Sequence, residues 1–260
     1  MHKPVARLLS SPFYGFTGTD TKVWSEAILK LLGMINSKES YYAADSMIIW
    51  KRSLLFLQDK KLRASREKFA RTPNEYLGFT WRYITLIWAA KQCLGSVEGD
   101  FVECGVYEGT SMAVVTEYVD FGSTGRHLYL YDCFDHVQGD THMKLKKHGS
   151  DLLKTVQERF AHQSWAHIVK GYVPDSFSQS LPEKIAFAHI DMNDAKAEVG
   201  ALEALWPRLQ PGAIVVLDDY GSSGLEKQRL AHDEFFARFD VPVLESPTSQ
   251  GIVIVPANKG

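Results

Sequence analysis

GDFVECGVYEGTS, residues 99–111, runs a short apolar stretch into Gly105 and Gly109 and then into two hydroxyl residues. Read as strand, turn and helix, it buries Phe101 and Val102 and puts Glu103 at the carboxyl end of the strand. Gly105 lets the backbone turn tightly against a ligand, and Gly109 allows close approach at the start of the helix. A phosphate-binding dinucleotide loop would read GxGxxG; here the pattern is E-x-G-x-x-x-G. The acid in front repels a pyrophosphate and suits the ammonium of an amino-acid moiety. Glycine pairs also follow buried strands in ordinary turns, so the stretch alone leaves both readings open.

Working outward, FVECGV, HLYLYDCF, AHIVKGY, IAFAHID and AIVVLDDY read as strands, separated by helix-compatible segments around 111–121, 152–162, 174–183 and 194–209. That alternation predicts a parallel sheet with crossover helices. LEKQRLAHDEFFARF, residues 225–239, reads as a helix before two last strands, VPVLESP and GIVIVPA, whose short connection over Thr248, Ser249 and Gln250 predicts a hairpin. The expected fold is α/β: a doubly wound, mostly parallel, Rossmann-like sheet with an antiparallel C-terminal hairpin, over residues 99–260. Residues 1–98 read as an N-terminal helical cap, with a helix opening at Asn74-Glu75-Tyr76 and carrying Trp81, Ile84, Leu86 and Trp88. The cap's basic stretch between Lys51 and Arg71 reads as a solvated helix face or as an anion-recruiting patch.

Bulk properties exclude several classes. The 260-residue chain is 45% hydrophobic, enough for one substantial core, and its formal charge of −2 offers no general attraction to nucleic acid. Cys93, Cys104 and Cys133 form no CxxC pair, so no disulfide framework or zinc knuckle is expected. No apolar run is long enough for a signal peptide core or a bilayer span, and the expectation is a cytoplasmic protein with neither membrane nor nucleic-acid partner.

The second strand ends in Tyr131-Asp132, where nucleoside-binding doubly wound folds hold ribose hydroxyls; an ordinary loop acid or helix cap is the alternative. The fourth ends in His189-Ile190-Asp191 and the fifth in Leu217-Asp218-Asp219. In a parallel sheet both ends open at one edge, so Asp191, Asp218 and Asp219 can converge there. Three acids in one place repel unless a cation is present, and an all-oxygen set favours Mg²⁺. The competing reading has Asp194 capping its helix and Asp219 facing solvent.

These segments, GDFVECGVYEGTS, LYDCF, GYVPDSF, HIDMND, LWPRLQPGAIVVLDDY and QGIVIV, together resemble the macrocin O-methyltransferase family of the TylF and MycF type. The resemblance implies S-adenosylmethionine and Mg²⁺ as cofactors and a sugar hydroxyl of a natural product as acceptor. It implies cofactor contacts from Glu103, Gly105, Tyr107, Gly109, Thr110, Ser111, Asp132, Cys133, Phe134 and Asp191. It also implies a metal on Asp191, Asp218 and Asp219, with Asp191 as the catalytic base. Two departures stand out. The family's D-G-D after the fourth strand is Asp191-Met192-Asn193 here, and the loop after Asp219 is Tyr220-Gly221-Ser222-Ser223-Gly224, without the cysteine some relatives carry.

Three activities remain distinct at this level: methylation of a sugar hydroxyl, metal-dependent methylation of a catechol-type phenol, and cofactor binding without turnover. A nicotinamide oxidoreductase is disfavoured by the missing GxGxxG. His189 should point deeper along its strand than Asp191, as a core or supporting histidine. His136, His142 and His148 fall in a lid-length segment, 135–150, as exposed loop residues or as a source of an alternative base. Tyr41, Tyr42, Trp50, Phe56 and Tyr76 of the cap read as core or as stacking surface for an acceptor, and the cap is expected to support a homo-oligomer.

Overall fold

A computed structural model of the chain describes residue 30 and residues 41–45, 47–50, 52–69 and 79–258. It divides into two compact units, residues 1–81 and 82–260.

The first unit holds strands β1 (Tyr41–Ala44) and β2 (Met47–Trp50), a 3₁₀ turn at Leu55–Gln58 and helix α1 (Lys60–Phe69). The strands pair antiparallel with Ala44 opposite Met47, and Asp45 takes the left-handed conformation (φ 51°) that a two-residue hairpin turn requires. The reading of this region as a mostly helical cap therefore misses a hairpin. Tyr42, Ala44 and Leu57 form its small core, with Phe56 packed edge-on to Tyr42 at 5.5 Å. Lys60, Lys61, Arg63 and Lys68 are exposed along α1, as a solvated face predicts. Arg66 is not: it is buried, donates to the Leu62 carbonyl at 3.3 Å and bonds the Thr80 hydroxyl. Lys51, Arg71 and Tyr76 lie outside the described residues, as do Asn74 and Glu75.

Helix α2 (Thr80–Ser96) leads into the second unit, whose elements are β3 (Asp100–Cys104), α3 (Thr110–Val119), β4 (Leu128–Asp132), α4 (Ser150–Arg159), β5 (Ala166–Lys170), β6 (Ile185–Ile190), α5 (Ala195–Leu205), β7 (Leu209–Leu217), α6 (Glu226–Ala237), β8 (Leu244–Glu245) and β9 (Gly251–Ile254). The seven-stranded sheet has the order β5-β4-β3-β6-β7-β9-β8. Strands β3 to β7 pair in parallel and β9 runs antiparallel to both β7 and β8, the mixed edge the sequence predicts. All six residues of β6 are buried, and β3 is buried from Phe101 to Cys104. Central strands covered on both faces read as unbroken apolar runs for this reason.

Two expectations change. Residues 174–183 hold no α-helix, only a 3₁₀ turn at Asp175–Ser178. Pro174 and Pro182 bracket a serine-rich stretch of low helix propensity, and Pro182 stops any helix that would run on to 183. The closing hairpin is also shorter in strand and longer in loop: β8 keeps two residues, and residues 246–250 make the turn. Among the described residues no helix is long and apolar enough to cross a membrane.

Candidate active site

Strand order reverses between β3 and β6, the place where doubly wound sheets open a crevice at their carboxyl ends. Register continues past the strands: Asp191 N–H donates to the Cys104 carbonyl at 2.8 Å, and Asp218 N–H to the Ile190 carbonyl at 2.9 Å. The ladder thus sets the ends of β3, β6 and β7 side by side. Gly105 has φ 88°, and a Cβ there would stand 1.9 Å from the Asp191 carbonyl oxygen. The neighbouring strand end by itself therefore requires a glycine here.

Asp132, at the end of β4, ties the turn down. One carboxylate oxygen accepts the Val106 and Tyr107 amides, each at 2.7 Å, and the other accepts the Phe134 amide at 2.6 Å. Tyr107 and Phe134 both have positive φ, 48° and 57°, so these bonds hold backbone that would otherwise be disfavoured. Gly109 caps α3 in the left-handed conformation, and Thr110 and Ser111 open that helix.

A cavity of about 610 Å³ lies over these ends. Of the residues implicated by resemblance, Gly105, Tyr107, Asp132, Cys133 and Asp191 line it. Glu103, Gly109, Thr110, Ser111 and Phe134 are not on its wall. The loop after β5 contributes Tyr172 to Asp175, and the loop carrying His142 and His148 forms a further wall.

The acid cluster brings its own cations. Arg82, in the first turn of α2, donates through one nitrogen to a carboxylate oxygen of Asp218, to the Asp218 carbonyl at 3.0 Å and to Asp219 at 3.1 Å; its other nitrogen reaches the Ser249 hydroxyl at 3.2 Å. Gln250 donates to the second Asp218 oxygen at 2.8 Å. His189 is buried between Glu103 (Nδ1, 2.9 Å) and Asp218 (Nε2, 3.4 Å). Burial pulls its imidazole down, but the bonds to Asp218 and Glu103 outweigh this and raise it to about 10, so it stands as an imidazolium. Burial works to raise Asp218, yet Arg82 and His189 hold it below the usual carboxylate range. Glu103 is raised by burial, against the bond from His189.

Asp191 is the exception. Its carboxyl makes no hydrogen bond among the described residues, and desolvation, reinforced by Asp218 and Asp219, raises it well above the ordinary range. One ligand atom each from Asp191, Asp218 and His189 lies within 4.8 Å of the others, a group that does not include Asp219. With both ring nitrogens engaged, His189 serves there as a charge rather than a ligand. An unpartnered carboxyl beside a second carboxylate, all oxygen, fits a hard divalent cation, and Arg82 is the charge with which such an ion would compete.

Asp194 caps α5 by accepting from the Ala197 amide at 2.8 Å, the structural alternative raised from the sequence; Asp219 faces Arg82 rather than open solvent. Sequence reading misses Arg82, Gln250 and Glu198. Glu198 lies one turn into α5, is buried, and accepts the Met192 and Asn193 amides at 2.9 and 3.0 Å, fixing the loop behind Asp191. Asn193 there has φ 54°, a left-handed conformation that asparagine tolerates, so the departure from D-G-D costs no backbone strain.

Comparison with known proteins agrees with this architecture. Residues 102–220 match a family described as a methyltransferase domain. A Streptomyces olivaceus protein named 8-demethyl-8-(2,3-dimethoxy-alpha-L-rhamnosyl)-tetracenomycin-C 4'-O-methyltransferase is 31% identical over 140 residues, which cover 48% of this chain and 54% of that protein. The match thus spans about half the length of that curated relative. Among solved structures, the O-methyltransferase NovP superposes with a TM-score of 0.58 at 17% identity, over 70% of this chain and 81% of its own. CalS11, a calicheamicin methyltransferase, superposes at 0.53 with 16% identity, over 78% and 93%. Residues 102–220 thus match a methyltransferase domain, and the chain shares the fold of these solved methyltransferases.

Proposed function

We propose that the protein is an S-adenosylmethionine-dependent O-methyltransferase whose acceptor is a hydroxyl on the sugar of a natural product. The observation that carries this reading is the cavity at the strand ends, with the unpartnered Asp191 carboxyl on its wall. The named activities of the Streptomyces relative and of CalS11, a methyltransferase of calicheamicin, support the acceptor class.

In this reading Gly105, Tyr107 and Asp132 would hold the cofactor in the cavity whose wall Asp191 shares, and the cofactor would supply the methyl group. Transfer is an in-line displacement: the acceptor oxygen forms a bond to the methyl carbon as the carbon–sulfur bond breaks, and S-adenosylhomocysteine leaves. The acceptor's proton goes to the Asp191 carboxylate. Asp191 and Asp218 would hold a Mg²⁺ ion, with Asp219 a third ligand once released from Arg82, and the bound ion would acidify an acceptor hydroxyl and fix its direction. Arg82 is a positioning residue that holds Asp218 and Asp219 together, and Glu198 does the same for the loop behind Asp191. Asp132 keeps the turn at Val106 and Tyr107 in the shape the cofactor meets.

The test is to incubate the protein with S-adenosylmethionine, with and without Mg²⁺, and a panel of free, nucleotide-linked and aglycone-linked deoxysugars. Gain of one methyl on a sugar with matching release of S-adenosylhomocysteine supports the reading. Turnover of vicinal phenols alone would move the assignment to a catechol-type enzyme, and cofactor binding with no turnover of either class would remove the catalytic claim.

A further inference from the structure

A second group of candidate ligands stands apart from the acid cluster. Residues 133–149 join β4 to α4 with neither helix nor strand of their own, a long connection for a compact domain. Its later part is anchored: the Lys147 amide donates to the Tyr107 hydroxyl at 3.0 Å, and Lys147 Nζ meets Glu108 at 2.6 Å. Across the middle of the loop three imidazoles converge, those of His136, His142 and His148. One ring nitrogen of each lies within 4.8 Å of the other two.

The spacing is informative. His136 Nδ1 is 3.3 Å from His142 Nε2. Two nitrogens bound to one tetrahedral zinc at about 2.0–2.1 Å stand about 3.3 Å apart. Behind His142, its other nitrogen, Nδ1, is 3.9 Å from the Asp140 carboxylate. Asp140 is itself fixed by the Val137 amide at 2.8 Å and the Tyr172 hydroxyl at 3.1 Å. His142 Nε2 also stands 3.1 Å from the Asp135 carbonyl, which can only accept, so that contact gives way when the nitrogen takes a metal. Cys133 Sγ lies 3.9 Å from His142 Nε2 and offers a thiol donor.

We propose that His136, His142 and His148 bind a divalent transition ion, Zn²⁺ foremost, as a clip that closes the 133–149 loop along the cavity wall, with Cys133 as the fourth donor. Imidazole nitrogen selects such an ion over the Mg²⁺ suited to the carboxylates, so the two sites differ in chemistry as well as in place. His148 joins by exchange, because its Nδ1 accepts the Leu145 amide at 3.2 Å and that bond gives way when the ring turns to the ion. His142 and His148 both line the cavity, so the ion would order the wall against which a ligand packs.

The experiment uses the full chain, stripped of metal and held in excess Mg²⁺ so that the carboxylates are served, and titrates it with Co²⁺ and then Zn²⁺. The proposal expects one equivalent of Co²⁺ to give the intense visible absorption of a tetrahedral site with a thiolate-to-cobalt band in the near ultraviolet. One equivalent of Zn²⁺ should abolish both. Loss of an outer partner of a metal-bound histidine costs about 10–100-fold in affinity, so His136→Ala and His142→Ala, checked for folding by circular dichroism, should each weaken Zn²⁺ at least about tenfold. Asp218→Asn should leave Zn²⁺ binding as in the wild type. Wild-type protein giving only the weak spectrum of octahedral cobalt would overturn the site whatever the variants do, as would Zn²⁺ affinity unchanged in folded His142→Ala. A tetrahedral spectrum without the thiolate band would remove Cys133 from the ligand set.

Discussion

Replacing Arg82 with methionine probes the charge balance under the cavity. The guanidinium side chain is 11% exposed and its partners Asp218 and Asp219 are 13% and 21% exposed, so the pair is largely desolvated. Removing one partner of such a pair leaves the other charge uncompensated and costs about 3–5 kcal/mol. The lower end applies, because Gln250 and His189 continue to hold one oxygen of Asp218. At about 2–4 °C per kcal/mol for a domain of this size, ~3 kcal/mol lowers Tm by roughly 6–12 °C in EDTA. Mg²⁺ should then act differently on the two proteins. In the wild type, Arg82 already neutralises the carboxylates and the ion's stabilisation is modest. In Arg82→Met the carboxylates repel, and Mg²⁺ at about a hundred times its Kd returns about 2.7 kcal/mol. Thermal denaturation with EDTA and with Mg²⁺ reads both effects. A Tm loss below about 2 °C in the variant, with an Mg²⁺ response equal to that of the wild type, would refute the view that Arg82 is the charge holding this cluster together.

Gly105→Ala should abolish S-adenosylhomocysteine binding and lower Tm, since its Cβ would sit on the Asp191 carbonyl oxygen; calorimetric affinity within twofold of the wild type would show that the strand ends give way easily. Asp132→Asn weakens three backbone bonds to a charged acceptor and is expected to cost about 2–3 kcal/mol of stability as well as cofactor affinity, read by urea unfolding and titration. His189, raised to about 10 in the fold from an ordinary 6.5, contributes stability that is complete below about pH 6.5 and fades as pH rises through 10. The Tm gap between wild type and His189→Gln in EDTA should accordingly narrow from pH 7 to pH 10, and a gap that widened would contradict the imidazolium.

Much of the second unit is legible from residues alone because its central strands are covered on both faces. IAFAHI and FVEC are runs that only a buried strand explains, and parallel pairing then obliges Asp191 and Asp218 to emerge at one edge. Asp132 is legible as a strand-end acid, but its three backbone partners depend on the positive φ of Tyr107 and Phe134, which no residue pattern announces. Arg82 is hidden for a different reason. It sits 136 positions from Asp218 in a helix whose apolar residues dominate its reading, and a lone arginine carries no signal of a distant partner. The hairpin at Tyr41–Trp50 escapes because a four-residue strand leaves only two alternations before its turn, too few to separate period two from period three and a half.

The cofactor cavity itself is tested most directly by calorimetric titration of the wild-type protein with S-adenosylhomocysteine in EDTA, and in parallel with NAD. The account predicts one equivalent of S-adenosylhomocysteine bound at micromolar Kd or tighter, independent of divalent metal, and no heat from NAD. Absence of S-adenosylhomocysteine binding, or NAD binding in its place, would contradict it.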